Sequence, residues 1–322
     1  MRRQKMVKSG RRVRRLKSST PADSSKERAK WRSRLLRQVN LLLQKKIYVF
    51  DIDGTVIVGD SPVDGAREFV ELISSLGKRM VFLTNNTSLT SSQHLQKIVQ
   101  ILEIPRDDVS VYSALDFLAS ELTRRRIERI YVLFNQVVTD ELIKKGFIID
   151  DRNPQVVIVG FDTELTYGKL KKACALVEKG IPWILAHPDL RCPVTGGYVP
   201  DAGSIGLVMS NVTGIRPMFV GGKPDPQMLL SVLKMLKVKR SDVCFFGDRV
   251  YTDAAMGLRS GIKTILLLTG ESRFKDLVRF CKENNCHDLV LLGENWIFLS
   301  RAFLRSQTLP KTAHRAAGSH FQ

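Results

Sequence analysis

From Ile47 onward the chain alternates short apolar runs with helix-period segments, and this alternation narrows the folds open to it. The runs are "IYVF", "RMVFLT", "VSVYSA", "RIYVLF", "QVVIVGF", "IPWILAH", "PMFVGG", "DVCFFGD" and "TILLLTG". Between them lie segments such as "GAREFVELISSLGK", "SSQHLQKIVQILEI", "YGKLKKACALVEKG", "PQMLLSVLKMLKV" and "TDAAMGLRSG". A strand that is apolar along its whole length has no solvent face, so it belongs in a sheet covered on both sides. Intervening helices supply that cover and the crossovers that parallel pairing needs. The pattern predicts an α/β fold on a Rossmann-like, doubly wound parallel sheet. There is no fixed-period repeat of solenoid type, and 322 residues suffice for one large domain or two ordinary ones.

Charge is distributed unevenly. Residues 1–46 hold 17 Lys and Arg against 2 acids, residues 301–322 hold 4 against none, and residues 47–300 are neutral with 30 of each. The net charge of +19 therefore belongs to the ends. A nucleic-acid-binding fold carries its excess on the folded surface, so the body is not expected to bind nucleic acid. Residues 1–46 read as a basic, disordered extension. Within it, "WRSRLLRQVNLLLQ" sets Trp31, Leu35, Val39 and Leu42 near a helical period, the pattern of a short basic helix packing on the domain. An Arg- and Ser-rich, acid-poor start also suits a mitochondrial transit peptide, a nuclear signal or contact with an acidic surface. Residues 301–322 read as a tail.

No apolar run reaches the ~18–20 residues of a membrane span, and the start has no signal-peptide core. The five cysteines, at 174, 192, 244, 281 and 286, show no paired spacing. They read as reduced structural thiols of a cytoplasmic protein, with mitochondria the alternative. "CKENNCH" lacks the second ligand group a zinc site needs. His94 and His314 read as surface residues, and Trp31, Trp183 and Trp296 as packing.

In a doubly wound sheet, ligands sit beyond the carboxyl ends of the strands. Asp51, Ile52, Asp53, Gly54 and Thr55 follow "IYVF"; Thr84, Asn85 and Asn86 follow "VFL"; Lys223 follows "MFVGG"; Gly247, Asp248 and then Asp253 follow "CFF". Crowded acids need a cation, and Lys223 or a bound Mg²⁺ can supply it. Residues i and i+2 of a strand share a face about 6.6 Å apart, a gap that accepts a phosphoryl group. Asp51 is then placed to attack phosphorus and Asp53 to protonate the leaving oxygen. Thr84 and the amides after it can hold phosphate oxygens, and Lys223 can neutralise charge.

This constellation resembles the haloacid dehalogenase superfamily of phosphohydrolases, on "DIDGT" at 51–55, "TNN" at 84–86, "GKP" at 222–224 and "GDRVYTD" at 247–253. The wider pattern looks like its NagD-like branch, with "PDAGSIGLVMSNVTGIRP" before the lysine motif and "GIKTILLLTG" after the last acid; the likeness covers roughly 47–275. The resemblance implies Asp51 as nucleophile and magnesium ligand, and Asp53 as general acid/base with its carbonyl on the metal. It implies Asp248 as the remaining protein ligand, Asp253 supporting the metal from behind, and Thr84 and Asn85 beside Lys223 on the phosphate.

The resemblance also implies an inserted α/β cap of the C2 type, placed at 122–202 and splitting the core into 47–121 and 203–300. "ILAHPDLRCPVTGG" is its expected substrate-facing segment, with His187 touching substrate. The family usually has Asn-Pro-Asp where this chain has His187-Pro188-Asp189, and "YVLFNQ" at 131–136 departs from the glycine common after that strand. The expected function is a Mg²⁺-dependent phosphatase on a small phosphomonoester through an aspartyl-phosphate, possible as a homodimer. The alternative is a protein whose basic tail binds RNA, membrane or an acidic partner while its catalytic body is vestigial.

Overall fold

The computed structural model describes residues 21–308. The chain enters through helix α1 (Pro21–Leu43) and then builds half of the main sheet. In order come β1 (Ile47–Asp51), a small hairpin of β2 (Ile57–Val58) and β3 (Ser61–Pro62), α2 (Ala66–Ser75), β4 (Arg79–Thr84), α3 (Ser91–Leu102), β5 (Val109–Ser113) and α4 (Ala114–Arg124). Side-chain oxygens start the helices where the sequence provides them: Thr90 with Gln93 closes a capping box at α3, and Ser113 with Asp116 closes one at α4.

A second sheet follows. Its elements are β6 (Arg129–Leu133), α5 (Gln136–Lys144), β7 (Ile148–Ile149), β8 (Val156–Val159), α6 (Tyr167–Glu178), β9 (Trp183–Leu185), the hairpin of β10 (Arg191–Val194) and β11 (Gly197–Pro200), α7 (Ala202–Thr213) and β12 (Phe219–Val220). The chain then returns to the main sheet through α8 (Pro226–Leu236), β13 (Val243–Gly247), α9 (Ala255–Ser260), β14 (Lys263–Leu267), α10 (Phe274–Asn284), β15 (Val290–Glu294) and α11 (Trp296–Thr308).

The main sheet has the order β15-β14-β13-β1-β4-β5 and the second sheet β12-β9-β8-β6-β7; pairing is parallel throughout both. β1 and β4 are buried from Ile47 to Asp51 and from Met80 to Thr84, as unbroken apolar runs require. One face stacks Phe50 against Phe246 and Phe82 at centroid distances of 5.0 and 5.4 Å, with Trp296 at 5.9 Å. Such ring pairs contribute about 0.5–1.5 kcal/mol each beyond their buried area. The Trp296 indole donates to the Thr55 carbonyl at 2.8 Å, tying this core to the loop after β1. Strand order reverses between β1 and β13, and the crevice there is where a ligand is expected.

Four boundaries differ from the sequence reading. The disordered span set at 1–46 does not hold from Pro21 onward: the short helix expected to pack on the domain is α1, whose Trp31, Leu35, Val39 and Leu42 are all at most 2% exposed and which lies against β15 and α11. The cap boundary at 122 falls inside α4, which straddles both bodies. Ala114 and Phe117 join the main core, whereas Leu115, Leu118 and Leu122 pack into the second sheet. The boundary at 202 falls at the start of α7, yet α7 and β12 belong to the second sheet, with Phe219 paired to Ile184. The core-to-tail boundary at 300 cuts α11, whose Phe303 is buried. β15, α10 and α11 extend the core past the stretch where strand-end motifs are legible. The basic residues 2–17 and His314 lie outside the described residues.

Candidate active site

Asp51 ends β1, Thr84 ends β4 and Asp248 follows β13, so three neighbouring strands deliver them to one end of the sheet. Gly54 turns the chain away from β1 with φ of 89°, a conformation that strains other residues. A Cβ there would also meet Asp248 Oδ2 at 3.0 Å. Thr55 Oγ1 lies 2.7 Å from Asp51 Oδ2 and 3.0 Å from Asp248 Oδ1, donating to one at a time. The Lys223 ammonium, only 4% exposed, pairs with Asp51 and sits 2.8 Å from Asp253 Oδ1. Asp253 Oδ2 accepts from the backbone N–H groups of Asp248 and Arg249 at 3.2 and 3.0 Å. It lies in a π-helical turn over Val250–Ala254, a form often seen at functional sites.

The side chains of Asp51, Asp53, Thr84, Asn85, Lys223 and Arg249 surround a cavity of about 20 Å³, closed from the cap side by Asp189, Cys192, Pro193 and Asp201. That is room for roughly one water. Oxygens of Asp51, Asp248 and Asp253 all lie within 4.8 Å of one another. Three buried carboxylates against one ammonium, all hard oxygen donors, fit a divalent ion such as Mg²⁺.

Known proteins resemble the chain over most of its length. A haloacid dehalogenase-like hydrolase family model matches residues 48–148, and a HAD-hydrolase-like model matches residues 220–291. An acid sugar phosphatase of Staphylococcus aureus (strain MRSA252) is 31% identical over 238 residues, covering 73% of this chain and 90% of the relative. The chain belongs to the haloacid dehalogenase-like hydrolases, in their NagD-like phosphatase branch. It is a phosphoric monoester hydrolase. Among solved structures, a 4-nitrophenylphosphatase from Thermotoga maritima superimposes with a TM-score of 0.72 at 34% identity, over 82% of this chain and 99% of that one. NagD from E. coli K-12 does so with a TM-score of 0.65 at 29% identity, over 73% of this chain and 92% of that one.

The electrostatics of this phosphatase site follow from burial and mutual charge. Burial, with Asp51 and Asp253 beside it, holds the Asp248 carboxyl well above the usual range. Burial raises Asp253 to about 6, against the opposing pull of Lys223. Burial raises Asp53 as well, with Asp51 adding to it and His94, Lys223 and Arg249 opposing it. Burial works against the Lys223 ammonium, but Asp253 and Asp51 outweigh it and keep the group charged.

Two expected contacts take a different form. The Asn85 side chain is committed to Lys223, accepting from its N–H at 2.7 Å and donating to its carbonyl at 3.0 Å. It positions the lysine and reaches Asp189 at 3.2 Å. His187 is fully buried behind the cavity and does not line it. Its Nε2 sits 3.2 Å from Thr87 Oγ1 and 3.5 Å from Asp201 Oδ1, so it braces the cap loop rather than touching substrate. His94, expected at the surface, is buried, and its Nε2 lies 3.0 Å from the Asn86 carbonyl.

Sequence reading missed the residues that close the cap. Arg249 reaches Asp189 at 3.3 Å and Glu271 at 3.6 Å, and Glu271 pairs with Arg191 at 3.1 Å. Arg249 lies inside "GDRVYTD" and Asp189 inside "HPD", but nothing in either stretch announces the other as its partner. Cys281, within α10, and Cys286, just past its end, are buried neighbours, and His287 packs on Trp31.

Proposed function

We propose that the chain hydrolyses a small phosphomonoester through a phosphoryl group carried on Asp51, with Mg²⁺ held by Asp51, the Asp53 carbonyl and Asp248. What supports the reading is the convergence of Asp51, Asp53, Thr84 and Lys223 around one small cavity at the strand-order reversal, with an Asp248 oxygen within 4.8 Å of Asp51. When bound, the metal would offset carboxylate charge and polarise the phosphoryl oxygens. An Asp51 oxygen attacks phosphorus, the ester P–O bond breaks, and the leaving oxygen takes the proton of Asp53. Water then attacks phosphorus, gives a proton to Asp53 and releases phosphate, restoring Asp51. Thr84 and Lys223 receive phosphate oxygens. Asp253 and Asn85 hold Lys223 from its side chain and its backbone. Because the closed cavity holds about one water, the ester enters when the cap lifts.

The test is hydrolysis of 4-nitrophenyl phosphate with and without Mg²⁺. Chelation and Asp51→Asn each abolish turnover while the fold is retained, and Asp53→Asn slows it by ~10²–10⁴-fold. Normal turnover in the Asp51 variant removes that residue from the nucleophile role.

A further inference from the structure

We infer that the outward face of α1 is a docking surface for the phosphate backbone of a nucleic-acid duplex. This face is separate from the hydrolytic site, whose cavity no residue of α1 lines. The buried side of α1 carries Trp31, Leu35, Val39 and Leu42. At 100° per residue, Lys26, Lys30, Ser33 and Arg37 form a row on the opposite side, all exposed. The row spans about 16 Å at the helical rise, a length over which a duplex carries about ten phosphates. Among the described residues, no carboxylate forms an ion pair with Lys26, Lys30 or Arg37. Glu294 takes Arg28 and Arg32 on the flank, at 3.5 and 2.5 Å, and Arg34 lies over the Trp31 ring.

The twenty residues before Pro21, outside the described structure, contain nine Lys and Arg and no acid; the acids of residues 1–46 are Asp23 and Glu27. Residues 47–300 carry no net charge. Arg predominates over Lys in the segment, and a guanidinium matches a phosphate through two parallel hydrogen bonds.

The packing argues for a duplex over other polyanions. A helix that lies in a membrane interface inserts its apolar face, but the apolar face of α1 is already buried in the protein. Its exposed apolar residues, Leu36 and Leu41, sit on different sides of the row. Single-strand binders stack bases on aromatic side chains, and the aromatic residue of α1, Trp31, is buried.

Fluorescence anisotropy of the full chain with a duplex of about 20 base pairs tests this. The logarithm of affinity should fall linearly with that of salt, by about 0.9 for each phosphate contacted. The triple variant Lys26→Gln, Lys30→Gln, Arg37→Gln should bind at least about ten-fold more weakly, with a slope shallower by roughly 2–3. Its hydrolysis of 4-nitrophenyl phosphate should match the wild type, which shows that it is folded. Three results would each overturn the proposal: no duplex binding at about 50 mM salt, wild-type affinity in the triple variant, or tighter binding to single strands or phosphatidylserine vesicles than to duplex.

Discussion

His187 illustrates how one residue's surroundings set its chemistry. It is fully enclosed between Thr87, Asp189 and Asp201, and burial lowers its pKa to about 4 despite Asp189. The folded state thus favours neutral imidazole. Its contribution to stability is whole above the unfolded pKa of about 6.5 and is lost as pH falls toward 4. Between about pH 7 and pH 4.5 the loss is on the order of 2–3 kcal/mol. Urea unfolding at both pH values should show His187→Asn lacking that increment of acid sensitivity, whatever the substitution costs at neutral pH. An acid slope identical to the wild type would mean that His187 does not titrate in this way. Asp201 shifts in the opposite sense, raised to about 8 chiefly by burial.

Among the elements, the β10–β11 hairpin and α1 carry the most consequence. The hairpin places Cys192 and Pro193 over the cavity, and Arg191 reaches across to Glu271 of the core. Glu271→Gln weakens this pair and the contact with Arg249. Exposed and half-exposed pairs contribute up to about 1 kcal/mol, so steady-state kinetics should show KM rising about two- to five-fold with kcat changed less. An unaltered KM would argue that these pairs do not hold the cap closed. α1, in turn, is a structural helix. Leu35 is fully buried in the main core, and Leu35→Ala should cost about 2–5 kcal/mol in denaturant unfolding. Compared with a chain beginning at Pro21, deletion through Leu43 should uncover the surface beneath Trp31 and Val39 and lower the melting temperature sharply. Equal stability of the two truncations would place α1 outside the cooperative fold.

Across the whole molecule, stability and function meet at the carboxylate cluster. Asp51, Asp248 and Asp253 converge within 4.8 Å, with Lys223 their compensating ammonium. A divalent ion that binds only the folded state stabilises it by RT ln(1 + [L]/Kd), about 2.7 kcal/mol at a hundred times Kd. Thermal melts should therefore rise with Mg²⁺ and fall back on chelation, and Asp248→Asn should remove most of the response. A melting temperature indifferent to Mg²⁺ in the wild type would count against the metal reading, independently of any activity assay.

The α/β class, most strand positions and the meeting of Asp51, Thr84, Lys223 and Asp248 were legible in the sequence. Each rests on local rules: an unbroken apolar run marks a doubly covered strand, and the residue after such a run stands at the sheet's carboxyl edge. Contacts between distant stretches were not legible. The helical spacing of Trp31, Leu35, Val39 and Leu42 announced a packing helix but not the surface it covers, which is β15 and α11. α4 shows a single amphipathic pattern, yet it divides its apolar residues between two sheets. The enclosure of His187 and the pairing of Arg249 with Asp189 arise because the second sheet lies over the first, a juxtaposition that no local periodicity encodes.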